Sequence, residues 1–167
     1  LRELETPCLV LDAGKLDRNI ARMRGHLASH GVALRPHVKT AKSLDVVRRC
    51  SMPGGGGITV STLKEAEYFF AAGYRDILYA VGIAPVKLDH VARLRTAGAD
   101  IVLILDNVAT AQAVAARGEA LGHPFPVLIE VDCDGHRSGI RPGSAALMEV
   151  ARVVGGSNGA LLRGVMT

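Results

Sequence analysis

The chain has 167 residues, 49% of them apolar and 22% charged, with a formal net charge of +4 at neutral pH. That length and apolar fraction fit one globular domain; with Trp absent and aromatics at 4%, its core must come from Val, Leu, Ile and Ala. The basic residues are dispersed rather than striped for nucleic acid, and no segment reaches the roughly 18 uninterrupted apolar residues of a membrane span. Cys8, Cys50 and Cys133 are too scattered for a disulfide framework or a C-x-x-C metal pair, so a reducing, cytoplasmic setting is the expectation. The first residue is Leu rather than Met, so a natural start further upstream is the expectation.

Residues 6–12, TPCLVLD, read as a strand entered through Pro7. An amphipathic helix follows over 15–30, with Leu16, Ile20, Met23 and Leu27 on one face and Gly31 as its stop. The next strand, 32–39, ends in a polar cluster. A side-chain period of two puts Arg35, His37 and Lys39 on one face. Mutual repulsion there favours proton loss from the lysine, and a lysine of depressed pKa at a strand end suits Schiff-base chemistry. A solvated basic loop that binds a phosphate, or nothing, is the alternative at this point.

A short helix is expected over about 41–49, then a loop, GGGG, at 54–57. The glycines lack the Lys-Ser/Thr of a phosphate-binding loop and precede a strand, so they read as a linker. Strands are predicted at 57–62, 76–81, 100–106, 125–132 and 160–167. Helices are predicted between them at 62–73, 86–97, 108–121 and 143–154, the first with Thr62 and Glu65 spaced as a capping box. Asp132, Asp134 and His136 resemble a metal cluster, but a Gly-containing loop makes the aspartates turn residues, and no metal site is assigned.

Unbroken alternation of apolar strands and helices makes the class α/β with a parallel sheet. Lys39, Ser61, Asp106, Asp132 to Arg137 and Thr167 all fall at C-terminal strand ends, where a (β/α) barrel places its active site. The absence of G-x-G-x-x-G after the first strand weakens a doubly wound dinucleotide fold. Six candidate barrel strands stand against the eight, over about 250 residues, of a complete barrel. The expectation is therefore a parallel (β/α) TIM-type barrel, incomplete in this chain at six of eight strands, forming the N-terminal part of a longer enzyme.

TPCLVLDAGKLDRNIARM, RPHVKTAKS, GITVSTLKEAEYFFAAG, DILYAVGIAP and EVDCDGHRSGI occur in that order. Together they resemble the N-terminal barrel domain of alanine racemase, D-threonine aldolase and D-serine dehydratase, the fold-type III pyridoxal-phosphate enzymes. The likeness is greatest to the D-threonine aldolase and D-serine dehydratase branch. It implies pyridoxal 5'-phosphate, with Lys39 as the Schiff-base lysine and Arg137 near the phenolic oxygen. His37 and Arg35 sit beside the lysine and are expected to position it, although a hydrogen-bonded structural role also explains His37. Thr59, with Ser61 on the same strand face, would line the ring, although ordinary strand propensity also explains both.

By the same resemblance, residues 1–14 supply a strand to a C-terminal β domain that is absent here, and 15–167 form the cofactor-binding partial barrel. The full-length enzyme would be a homodimer, with a divalent metal whose ligands lie outside this chain. Its substrate would be a small D-3-hydroxy amino acid, cleaved as by D-threonine aldolase. D-serine dehydratase or alanine racemase-like chemistry is the alternative, and a non-catalytic pyridoxal-phosphate homeostasis protein is the alternative of another class. The 167-residue chain alone is expected to be inactive.

Overall fold

The structure, a computed structural model, describes residues 3–51 and 56–167. Five parallel strands form one sheet whose spatial order follows the sequence: β1 (Ile58–Val60), β2 (Asp76–Gly82), β3 (Asp100–Leu105), β4 (Phe125–Glu130) and β5 (Ala160–Met166). A doubly wound sheet would reverse its order at a switch point, and no reversal occurs. The architecture is a stretch of parallel (β/α) barrel wall, open between β1 and β5. Leu161, Leu162 and Val165 on β5 are exposed along that opening.

Helices α3 (Leu63–Ala71), α4 (Leu88–Thr96, entered by a 3-10 turn at Pro85–Lys87), α5 (Val108–Leu121) and α6 (Ala145–Gly155) alternate with these strands. The starts of α3, α5 and α6 are fixed locally: the side chains of Thr62, Asn107 and Ser144 each accept the backbone N–H three residues on. One side chain in two along the strands enters the core. Ile77, Tyr79, Ile101, Leu103, Phe125, Val127 and Ile129 are buried with Phe69, Val91, Val114 and Val150 from the helices. The alternate positions Leu78, Val102 and Leu128 line cavities on the concave face.

α1 (Ala13–Ser29), capped by the Asp12 carboxylate, and α2 (Leu44–Cys50) precede the sheet. The expected apolar stripe of α1 exists, but none of its residues is buried. α1 is tied to α2 by polar contacts instead: Arg49 pairs with Asp17 at 3.0 Å, and the Arg24 guanidinium donates to the Arg49 and Ser51 carbonyls.

Two expected strands are corrected. Residues 6–12 form no strand; Leu9, Val10 and Leu11 are exposed and no ladder pairs them, so nothing satisfies an extended backbone there. The segment 32–39 shrinks to one parallel bridge, His37 to Thr59. Val38 N–H donates to the Thr59 carbonyl and Thr59 N–H to the Pro36 carbonyl, both at 2.9 Å. Pro36 has no N–H to extend the ladder, and the chain turns at once from Val38 to Lys42. Of the glycine run, Gly54 and Gly55 lie outside the described residues. Gly57 has a packing reason: a Cβ there would meet the Arg35 guanidinium.

Candidate active site

The concave face opens at the C-terminal ends of the strands into a cavity of about 700 Å³. His37, Lys39, Thr59 and Arg137, the four residues singled out from the sequence, all line it. Leu78, Ala80 and Ile104 give it an apolar floor, and Ile104 is buried although it lies outside the main core cluster. Thr59 is 7% exposed, whereas Lys39 and Arg137 are exposed.

Of the three groups expected in one row, His37 and Lys39 line the cavity and Arg35 does not. Arg35 turns to the opposite end of the sheet face and forms a bidentate bridge to Asp76 at 2.9 and 2.7 Å. The period-two projection assumed an extended chain through Lys39, and the turn at 38–42 breaks it. Arg35 therefore does not position the lysine. At that end Arg163 of β5 also lies 3.7 Å from Asp100.

His37 is held from both ring nitrogens. Its Nδ1 accepts the Lys39 backbone N–H at 3.3 Å, which places the ring proton on Nε2, 3.2 Å from Ser61 Oγ. Burial lowers the His37 pKa below its ordinary 6.5; the Lys39 ammonium adds to this and Glu65 opposes it. The imidazole is thus neutral near pH 7, in keeping with an accepting Nδ1. Because the unfolded chain binds that proton more tightly, stability should fall as pH drops through about 6.5. Denaturant midpoints from pH 8 to 5 should decline less for His37→Gln than for the natural chain. Equal declines would show that His37 is not held neutral.

The DGHRSG loop carries Arg137 and is built by turn chemistry. The Asp132 carboxylate accepts the Asp134 and Gly135 N–H groups, and Asp134 accepts that of His136. A bridge between Val131 and Ile140 ties the loop's two ends. Of two further carboxylates in the cavity, the sequence shows Asp106 only as a polar residue at a strand end and does not single out Glu130. Glu130 ends β4 and accepts the Ser138 hydroxyl at 2.7 Å; Asp106 follows β3 and accepts the Asn107 amide at 2.7 Å. The strand period could have found Glu130, since it shares its face with Leu128. Among the described residues, no three His, Cys, Asp or Glu side chains gather to hold a metal ion.

Parallel strands in sequential order, with polar side chains gathered past their C-terminal ends, define a ligand-binding domain of (β/α)-barrel type. The chain belongs to the family described as alanine racemase, N-terminal domain, which matches residues 11–167. D-threo-3-hydroxyaspartate dehydratase from Delftia sp. (strain HT23) is 50% identical over 167 residues, 100% of this chain and 44% of that protein. D-threonine aldolase from Arthrobacter sp is 33% identical over 161 residues, 95% of this chain and 42% of that protein. A solved structure of a D-threo-3-hydroxyaspartate dehydratase variant in the metal-free form matches with a TM-score of 0.92 at 50% identity, covering 98% of this chain and 43% of that one. The chain therefore spans less than half the length of the relatives it matches.

Membership implies pyridoxal phosphate, and the residues present fit it. The cavity joins a lysine amine for the aldehyde, a guanidinium for an anionic oxygen, and apolar side chains for a ring face. No helix among the described residues is long and apolar enough to cross a membrane.

Proposed function

We propose that the parent protein is a cytoplasmic, homodimeric, pyridoxal-phosphate-dependent lyase acting on D-3-hydroxy amino acids, with residues 11–167 as its cofactor-bearing half. The observation that carries this reading is the placement of Lys39 and Arg137 in one cavity at the strand ends. When bound, pyridoxal phosphate supplies an electron sink for charge developing at the substrate α-carbon. Lys39 would hold it through Nζ, and the same amine, lining the cavity, could take or return a proton there. Arg137 stabilises an anionic oxygen without being able to give up a proton. Neutral His37 fixes the backbone of Lys39 through Nδ1, and Thr59, lining the same cavity, would face the ring.

Elimination of water, giving a 2-oxo acid and ammonium, is the favoured outcome because the dehydratase relative is 50% identical across the whole chain. The name of that relative points to D-3-hydroxyaspartate as the substrate. Aldol cleavage to glycine and an aldehyde, the outcome expected from the sequence, is the second reading and is favoured by the aldolase relative. The metal-free variant supports a metal in the parent enzyme; its ligands would lie outside this chain, as would a C-terminal β domain joined by residues 1–14. No step here passes through the metal.

Product analysis of the full-length protein with D-3-hydroxyaspartate and D-threonine decides among these. A 2-oxo acid with ammonium supports elimination, and glycine with an aldehyde supports cleavage. Neither product, with cofactor bound, would identify a cofactor carrier. Arg137→Leu should lower kcat about a hundredfold, as loss of a preorganised donor to a developing anion does, and should shift the bound-cofactor absorbance. A rise in KM alone, with an unchanged spectrum, would assign Arg137 to the substrate carboxylate.

A further inference from the structure

We infer that Lys42 and Glu65 are positioning residues that lock the turn carrying Lys39 and determine which of two neighbouring lysines faces the cavity. The inference rests on the reading of Lys39 as the cofactor-bearing amine. Lys39 and Lys42 are three positions apart on one exposed turn, yet only Lys39 lines the cavity. Lys42 Nζ is instead 3.2 Å from Glu65 Oε1.

Glu65 is 7% exposed and both its oxygens are engaged. Oε2 accepts the Ser61 N–H at 2.8 Å, while Ser61 Oγ meets His37 Nε2 and His37 Nδ1 takes the Lys39 N–H. One carboxylate thus anchors both ends of the turn: its N-terminal side through Ser61 and His37, its C-terminal side through Lys42. The turn itself closes by Lys42 N–H to the Val38 carbonyl at 2.9 Å, with Val38 buried beneath it.

Lys42 is the one non-glycine with positive φ, +48°, among the described residues. A long side chain is disfavoured there, where Gly or Asn would sit without strain. A helix cap would need neither that strain nor the second oxygen of Glu65, since Thr62 already caps α3. Strain of this kind persists where the surroundings over-determine it. Here the surroundings are an ion pair that removes Lys42 from the cavity mouth and leaves Lys39 as its amine. Burial alone would raise the Glu65 carboxyl, but the Ser61 and Thr62 N–H groups and the Lys42 ammonium outweigh it and hold the group below its ordinary range. Glu65 is therefore a carboxylate at neutral pH.

The test compares Lys42→Met, Lys42→Arg and Glu65→Gln in the full-length protein. Each is incubated with pyridoxal phosphate, trapped with borohydride and mapped by peptide mass spectrometry. Trapping on Lys39 should fall about tenfold in Lys42→Met and recover in Lys42→Arg, which keeps the ion pair. The two variants should have equal thermal midpoints. Glu65→Gln, where it folds, should divert label to Lys42. Wild-type trapping in Lys42→Met, or failure of Lys42→Arg to restore it, would overturn the inference. If the natural protein traps nothing on Lys39, the cofactor reading itself falls. Competitive acetylation of the cofactor-free protein then decides this one: the rate at Lys39 relative to the other lysines should change in Lys42→Met and not in Lys42→Arg.

Discussion

Lys39→Ala should abolish covalent attachment of pyridoxal phosphate and lower turnover by the full-length protein at least about a hundredfold, the usual cost of losing a positioned proton-transfer group. Among the described residues, Lys39 is the one lysine that lines the cavity at the strand ends. Its backbone is held by His37 Nδ1, and the Val38 N–H beside it is bonded into the sheet edge at Thr59. Lys39→Arg should fail equally, because a guanidinium stays protonated and cannot attack an aldehyde. Borohydride trapping and peptide mapping check the result directly. Label on Lys42 or elsewhere, with Lys39 unmodified in the natural protein, would remove the basis of the proposed function.

The sheet was legible wherever a strand was an apolar run bounded by Gly, Pro or a cap. Residues 108–121 form the expected helix between Asn107 and Gly122, and the strands beginning at Asp76 and Asp100 start where expected. Parallel order followed from alternation alone. The two segments that failed, 6–12 and 32–39, are those whose strand character depends on neighbours. Extended backbone becomes a strand only when something pairs with it, and composition does not report that. Arg35 was misplaced for the same reason, since period two holds only while the chain stays extended.

Lys39 and Arg137 were legible through the resemblance carried by RPHVKTAKS and EVDCDGHRSGI, and Thr59 through strand alternation; strand ends alone do not mark them, since Thr59 lies inside β1 and Arg137 well past β4. Glu65 was read for half of what it does. The T-x-x-E spacing showed a carboxylate folding back on a helix start, and it does so onto the Ser61 N–H. Its second oxygen meets Lys42, and that contact depends on a left-handed turn from a different stretch of the chain. Local spacing carries no sign of it.

Gly159→Ala should be among the most damaging single substitutions in the fold, at about 3 kcal/mol, the upper end of overpacking costs. Gly159 is not in the left-handed region, so the cost is contact and not backbone strain. A Cβ there would meet the Ala115 carbonyl oxygen and the Glu119 nitrogen, and would lie 2.9 Å from the Ala115 carbonyl carbon. From the other side, a Cβ on Gly118 would lie 2.6 Å from the Gly159 carbonyl carbon and 2.8 Å from its Cα. α5 and the entry to β5 thus touch backbone to backbone, with no flexible side chain able to yield. The Gly159 carbonyl also accepts the Phe125 N–H at 3.0 Å, beside the first β4–β5 pair. Glu119 holds the preceding loop through the Ser157 hydroxyl and the Asn158 N–H, so the strand cannot retreat without losing those bonds. For a domain of this size the expected loss corresponds to roughly 6–12 °C in Tm. Gly155→Ala is the control: that glycine ends α6 with nothing within 4 Å of the added carbon, so the change should be neutral or stabilise by up to about 1 kcal/mol. Thermal and denaturant unfolding of both variants measures the contrast. A Gly159→Ala protein as stable as the natural chain would mean that α5 and β5 are not in backbone contact.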